Sequence, residues 1–192
     1  MNEGHRFCDS PEWRQVVRDE IIPWAVREVD LGDDVLEIGP GYGATTEVFA
    51  RMVPRLTSVE IDPELAGRLK AAYDGTNVEV IEGDATDMSF PDGRFTGVVC
   101  FSMLHHVPSD ELQNRLFAEA ARVARPGTPF VVVDSVASDE IRSFHDGDTY
   151  QPIDPESLPA RLEDAGFEGV VVRVNQYGWS ASARRAVSPR TG

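Results

Sequence analysis

The sequence predicts an α/β fold: a doubly wound, mostly parallel seven-stranded sheet with helices on both faces and a C-terminal antiparallel hairpin. Three observations carry this expectation. Short apolar runs alternate with segments of helical period along most of the chain, as repeated β-α units do when their strands become parallel neighbours. A turn with glycines at 39, 41 and 43 follows the first strand-like run. The runs at Val170–Val174 and Trp179–Arg184 read as a closing antiparallel pair.

The elements follow in order. Ser10 caps a first helix, Pro11 suits its first position, and Glu12 favours the positive end of its dipole. Trp13, Val16, Val17, Ile21 and Trp24 then share one helical face. Pro23 should kink or divide that helix, because it brings no N–H and its ring crowds the preceding turn. Val35–Ile38 is a short buried strand. After it come a helix over Thr45–Val53, a strand over Leu56–Ile61 and a helix over Pro63–Tyr73. Val78–Ile81 and Gly97–Phe101 are strands, with a turn at Pro91-Asp92-Gly93 between them. Asp110–Ala124 is a helix with Leu112, Leu116, Phe117 and Ala120 inward, Phe130–Val133 a strand, and Ser157–Ala165 the last clear helix.

Composition narrows the functional classes. A chain of 192 residues with 41% hydrophobic and 27% charged residues suits one ordinary globular domain. Its 18 basic and 33 acidic residues give a net charge of −15, and Lys70 is the only lysine. Such a surface repels phosphate backbones, so the expected partners exclude nucleic acid. Two distant cysteines, Cys8 and Cys100, exclude a disulfide scaffold. No apolar run approaches a membrane span, and Met1–Asp9 lacks the apolar core of a signal peptide, so a cytoplasmic location without membrane contact is expected.

The functional signal lies at the ends of the first three strands. Glycines at 39, 41 and 43 let the backbone turn sharply and approach a ligand closely. Gly39, Gly41 and Ala44 also satisfy a dinucleotide-binding fingerprint. Glu37 discriminates, because a pyrophosphate wants backbone N–H groups and no carboxylate close by. An acid there suits a ligand with an ammonium group. Glu60 ends the second strand, 21 residues after Gly39, where an acid accepts from ribose hydroxyls. Asp62 instead caps the helix at Pro63. Asp84 is placed to accept from an adenine amino group, and Ala85 to donate its backbone N–H to a ring nitrogen.

These residues together resemble the class I, Rossmann-like S-adenosylmethionine-dependent methyltransferases, from about Val35 to Val133. The family's Glu/Asp-x-Gly-x-Gly-x-Gly motif stands as Glu37-Ile38-Gly39-Pro40-Gly41-Tyr42-Gly43. Its acidic ribose ligand maps onto Glu60, with Ile61 beside it, and its adenine-side Gly-Asp-Ala onto Gly83, Asp84 and Ala85. Residues 98 to 107 resemble its segment after strand 4, and Arg125-Pro126-Gly127 its turn into strand 5. Thr96 departs from the Asp that many relatives carry. The resemblance implies S-adenosylmethionine as cofactor and S-adenosylhomocysteine as product. The domain is expected over residues 31–187, with 1–30 as a helical lid and 188–192 as a disordered tail.

Methyl transfer is an in-line displacement that needs positioning more than a catalytic nucleophile. His105 and His106, just beyond the fourth strand, are the candidates for a base, and His106 is assigned that role. The competing expectation is that one histidine packs beneath the next helix. Phe101 and Ser102 would line the sulfonium side. His5, Phe7, Cys8 and Trp13 would close over the cofactor. The loop from Ser138 to Glu156, with His145, Asp146, Asp148 and Tyr150, reads as an acidic surface loop, and no metal ligand set is assigned. Without a separate substrate domain, a small-molecule acceptor is expected. Monomer and homodimer both stay open, and the final hairpin could pair across a dimer edge. The alternatives are a nicotinamide-dependent oxidoreductase, which leaves Glu37 unexplained, and a non-catalytic S-adenosylmethionine binder.

Overall fold

A computed structural model describes residues 7–187; His5 and the tail expected at 188–192 lie outside them. Seven strands form one sheet: β1 Asp34–Ile38, β2 Arg55–Glu60, β3 Val78–Glu82, β4 Gly97–Phe101, β5 Pro129–Asp134, β6 Phe167–Asn175 and β7 Gly178–Arg185. Their order is β3-β2-β1-β4-β5-β7-β6. The first five are parallel, while β7 runs antiparallel to both β5 and β6. The order reverses between β1 and β4, so a crevice opens beyond their carboxyl ends, where doubly wound folds bind ligands.

Among the described residues seven α-helices surround the sheet: α1 Pro11–Val16, α2 Ile22–Ala25, α3 Ala44–Met52, α4 Pro63–Ala72, α5 Asp110–Val123, α6 Asp139–Phe144 and α7 Leu158–Asp164. Side chains alternate across each strand, so neighbouring residues feed opposite cores. Val35, Val99 and Val131 face Val17, Ile21, Phe49 and Leu69 on one side. Leu36, Val98 and Val132 face Leu116, Phe117 and Leu162 on the other. β4 and β5 are buried along their whole length, as central parallel strands covered on both faces must be.

The first helix divides as its proline requires. Ser10 Oγ accepts from Trp13 N at 3.1 Å and starts α1. Pro23 has no N–H for the next α-type bond, and Val17–Ile21 widens into a π-helical turn before α2. Two elements differ from expectation. β6 begins at Phe167 rather than Val170, because a bulge between Glu168 and Val171, with Gly169 at φ +66°, interrupts the side-chain alternation. α6 lies in the segment read as loop; it is one and a half turns with no buried residue, so it leaves no apolar period. Its sequence marks are at its ends: Ser138, whose Oγ accepts from Ile141 N at 3.1 Å, Asp139 and Glu140 in the first turn and Arg142 in the last.

Candidate active site

The glycine turn is built by contacts on both of its sides. Gly39, at φ +66°, lies under Met103; a Cβ there would stand 2.2 Å from Met103 Cγ. Gly41, at φ +55°, has no atom within 4 Å of where its Cβ would be, so its open side lies toward the crevice. Glu60, only 5% exposed, closes the turn from β2. Its Oε2 accepts from Gly41 N and its Oε1 from Asp62 N, both at 2.9 Å. Burial pushes the Glu60 carboxyl above its ordinary range despite these backbone donors. Asp62 caps α4, accepting from Glu64 N at 2.9 Å and Leu65 N at 3.2 Å.

Arg14 on α1 was not singled out by sequence. Its Nη2 donates to Tyr42 O and to Asp9 Oδ1, both at 2.8 Å, tying the N-terminal helix to the glycine turn. Arg68 on α4 also donates to Asp9, at 3.1 Å, and lies 5.5 Å from the Tyr42 ring centre. Nothing but the fold itself brings Asp9, Arg14, Tyr42 and Arg68 together.

Glu37 differs from expectation. It is 2% exposed and faces three hydroxyls: Thr45 Oγ1 donates at 2.5 Å, Ser58 Oγ at 2.6 Å and Thr46 Oγ1 at 2.8 Å. Burial still raises its pKa, the hydroxyls opposing the shift. Thr45 lines the crevice, whereas Glu37 does not. An acid seated between a strand and the first turn of α3 is satisfied locally before any ligand arrives.

The crevice is a cavity of about 440 Å³. It takes in Gly39, Gly41, Glu60, Ile61, Asp84 and Ala85 from β1 to β3. From the segment after β4 it takes Phe101, Ser102, Met103 and His106. Cys8 and Trp13 border it from the N-terminal side, and Asp148 and Thr149 from the loop after β5. Ile61 is 69% exposed, an apolar side chain left open at the rim. Phe101 meets Phe49 edge-on, with ring centres 5.5 Å apart. Ser102 holds a left-handed φ of +52°, a conformation non-glycine residues rarely adopt outside constrained sites. Gly43 is set behind the turn against Leu69 and is not part of the cavity wall.

The two histidines part company. His106 lines the cavity, whereas His105 is 6% exposed and turns to Asp134 at the end of β5. Its Nδ1 lies 2.6 Å from Asp134 Oδ1, and its backbone N–H donates to Asp134 Oδ2 at 3.0 Å. Burial alone would lower the His105 pKa, but the Asp134 charge and hydrogen bond carry it upward. The turn after α6 is exposed at Asp146, Gly147 and Thr149, as a surface loop is, but His145 is not. His145 is 5% exposed, packs on the His105 ring with centres 4.7 Å apart, and stacks on Tyr150 at 4.8 Å. Its Nδ1 lies 2.7 Å from Ile141 O in the last turn of α6, while its ring contact and Gln151 N, which donates to His105 O at 2.7 Å, hold the turn after α6 against the segment that follows β4.

The family model described as "Methyltransferase domain" matches residues 36–132, just over half of the 192 residues and the part that carries the glycine turn, Glu60, Asp84 and His106. The chain belongs to the class I S-adenosylmethionine-dependent methyltransferases. S-adenosylmethionine is its cofactor. A ribosomal RNA small subunit methyltransferase A of Thermococcus onnurineus is 39% identical over 79 residues, covering 40% of this chain and 29% of that one. The chain spans 24% to 45% of the length of eight curated relatives it matches. Among solved structures, a chain from the complex of the Haloferax volcanii Trm112 methyltransferase activator with a methyltransferase superposes with a TM-score of 0.74 at 14% identity, covering 97% of this chain and 99% of that one. A Haemonchus contortus phosphoethanolamine N-methyltransferase bound to S-adenosylhomocysteine has a TM-score of 0.66 at 18% identity, covering 84% of this chain and 38% of that one. At these identities the structures share the fold.

One expectation is corrected. The methyltransferase's net charge of −15 was read as excluding nucleic acid, yet relatives matched by this chain are named for ribosomal RNA. A charge summed over the whole surface is screened beyond about 8 Å at physiological salt. It therefore says little about what reaches one cavity mouth. Among the described residues, no helix is long and apolar enough to cross a membrane.

Proposed function

We propose that the methyltransferase holds S-adenosylmethionine along the ends of β1 to β4 and passes its methyl group to a protic nitrogen or oxygen entering from the His106 side. The observation that carries this reading is the single cavity bordered by Gly41, Glu60 and Asp84 at one end and by Ser102, His106 and Asp148 at the other. Its volume lies within the range of cofactor pockets.

Glu60 accepts from the ribose hydroxyls, Ile61 covers a face of the adenine, Asp84 accepts from its amino group, and the Ala85 N–H serves a ring nitrogen. Gly39 and Gly41 would hold the methionine part, with Thr45, which Glu37 orients, beside it. Gly43 supports the turn from behind. Phe101 and Ser102 flank the sulfonium, while Cys8 and Trp13 of the N-terminal segment cover the cofactor as a lid. In the transfer, the acceptor's lone pair forms the bond to the methyl carbon. Bound S-adenosylmethionine would supply the methyl group, keeping the carbon–sulfur pair and leaving as S-adenosylhomocysteine, and His106 would take the acceptor's proton.

The names of the relatives make ribosomal RNA the acceptor to test first. The experiment is transfer of labelled methyl from S-adenosylmethionine to total ribosomal RNA and, in parallel, to a low-mass extract fraction, with wild type and His106→Ala. Expected is labelling that falls by about 100-fold or more in the variant. Label found only in the low-mass fraction would keep the reaction and remove RNA. Undiminished transfer by His106→Ala would remove its role as base.

A further inference from the structure

Three imidazoles from two separate segments converge at the acceptor side of the cavity. The ring centres of His105 and His106 lie 4.2 Å apart, and His145 is 4.7 Å from the first and 5.1 Å from the second. One ring nitrogen of each lies within 4.8 Å of the other two. They are three of the four histidines in the chain, and the fold of the 139–150 segment brings the third to the other two.

Two of them, His105 and His145, carry the outer hydrogen bonds of metal-binding histidines. His105 Nδ1 meets a carboxylate, Asp134 Oδ1, at 2.6 Å, and His145 Nδ1 meets a backbone carbonyl, Ile141 O, at 2.7 Å. An imidazole whose Nδ1–H is donated in this way presents Nε2 as its lone pair, and such outer partners orient metal ligands. Asp134 is itself fixed, accepting the backbone N–H of His105 at 3.0 Å and of Ser135 at 2.7 Å. Tyr150 lies nearly parallel to the His145 ring, at 21°.

We propose that His105, His106 and His145 form a site for one divalent transition-metal ion of the zinc class, with an open coordination position toward the cavity. Bonds of about 2.0–2.1 Å in tetrahedral geometry put ligand nitrogens about 3.4 Å apart, so each ring needs to move by less than about 1 Å. Three imidazoles select zinc and its neighbours over magnesium or calcium, which prefer oxygen ligands. Three protein ligands and one open position is the arrangement of catalytic rather than structural zinc. The open position faces the cavity because His106 lines it.

The ion's role rests on the reading of this side as the acceptor's. There it would bind the acceptor's oxygen or nitrogen and lower its pKa, so that the proton leaves to solvent and the lone pair attacks the methyl carbon. His106 would then serve as a ligand, and the ion would replace it as the agent that activates the acceptor.

The test uses the full chain without an affinity tag, stripped with chelator and titrated with Co²⁺, then Zn²⁺, in the absence of S-adenosylmethionine. Expected are one Co²⁺ per chain, the visible absorption of a four-coordinate ion, its displacement by Zn²⁺, and indifference to excess Mg²⁺. Binding should weaken by more than about 100-fold in His145→Ala and by about 10- to 100-fold in Asp134→Asn. Calorimetry with S-adenosylhomocysteine, which neither side chain borders, checks that both variants are folded. If His145→Ala fails that check, the half-exposed His106, replaced by Gln, takes its place. No absorption in wild type, or equal binding by wild type and folded variants, would overturn the site. Loss of S-adenosylhomocysteine binding with the Co²⁺ spectrum intact would instead count against the cofactor reading.

Discussion

Asp134 holds His105 twice, by the ring at 2.6 Å and by the backbone N–H at 3.0 Å. The two contacts join the end of β5 to the segment after β4, at the end of the cavity that His106 lines. The pair is buried, so removing one partner strands the other. Asp134→Ala should therefore cost about 3 kcal/mol of stability in denaturant unfolding at neutral pH. Asp134 does not border the cavity, and S-adenosylhomocysteine affinity of the folded variant should be unchanged. A loss of affinity matching the loss of stability would show that the grip shapes the cofactor site as well.

Gly39 and Met103 are coupled by space. A methyl group at 39 would stand 2.2 Å from Met103 Cγ, and the Met103 side chain can relieve that only by swinging within the cavity wall. Gly39→Ala should weaken S-adenosylhomocysteine binding at least about tenfold, which is 1.4 kcal/mol. Met103→Ala removes the obstacle, so the double variant should recover much of the affinity while keeping the strain of an alanine at φ +66°. Calorimetry on the two single variants and the double gives the coupling. Additive losses would mean that backbone strain, not the Met103 contact, decides the effect.

The fold was legible because its signals are local. Gly97–Phe101 is a strand over the residues read as one, and Ser10 and Asp62 cap the helices they precede. The turn at Gly39–Gly43 and the carboxylate of Glu60 meet where the spacing put them. What stayed hidden depends on contacts between distant segments. Arg14 reads as one charge on an amphipathic helix, and only its approach to Tyr42 O gives it a role. His145 reads as part of an acidic turn, yet it is buried against His105. Glu37 looked like a ligand contact because a lone buried carboxylate is costly; Thr45, Thr46 and Ser58 satisfy it from within. Hydroxyls carry no periodic or charge signal that would pair them with an acid in advance.

Arg14 links the N-terminal helix to the glycine turn through Tyr42 O and Asp9. Arg14→Ala should loosen both and weaken S-adenosylhomocysteine binding several-fold, while stability falls by only about 1 kcal/mol because the guanidinium is partly solvated. Turnover at saturating cofactor should be unchanged, because the residue acts on binding and lies far from the acceptor side. Kinetics across a range of S-adenosylmethionine concentrations checks this. A drop in the saturated rate would place the clamp in the transfer step instead.

Glu60 makes cofactor affinity sensitive to acid before the fold is. In the function proposed above its carboxylate is the form that would accept from the ribose hydroxyls, and burial raises its pKa above that of an ordinary glutamate. As pH falls from neutral, protonation begins earlier than for an ordinary glutamate, and affinity should approach a loss of about tenfold per pH unit below that raised pKa. The sign for stability is opposite. A group whose pKa is higher in the folded chain stabilises it below the unfolded value and loses that contribution as pH rises through the folded value. Protonating Glu60 therefore does not loosen the fold. Asp9, Glu119 and Asp134, held below the ordinary carboxylate range chiefly by Arg14, Arg122 and His105 against their burial, support the fold until the pH falls through their own depressed values. As the pH falls from neutral toward the ordinary glutamate range, S-adenosylhomocysteine affinity should decline while the melting temperature holds, and Glu60→Gln should bind weakly with little pH dependence. A melting temperature that falls in step with affinity would assign the effect to unfolding rather than to Glu60.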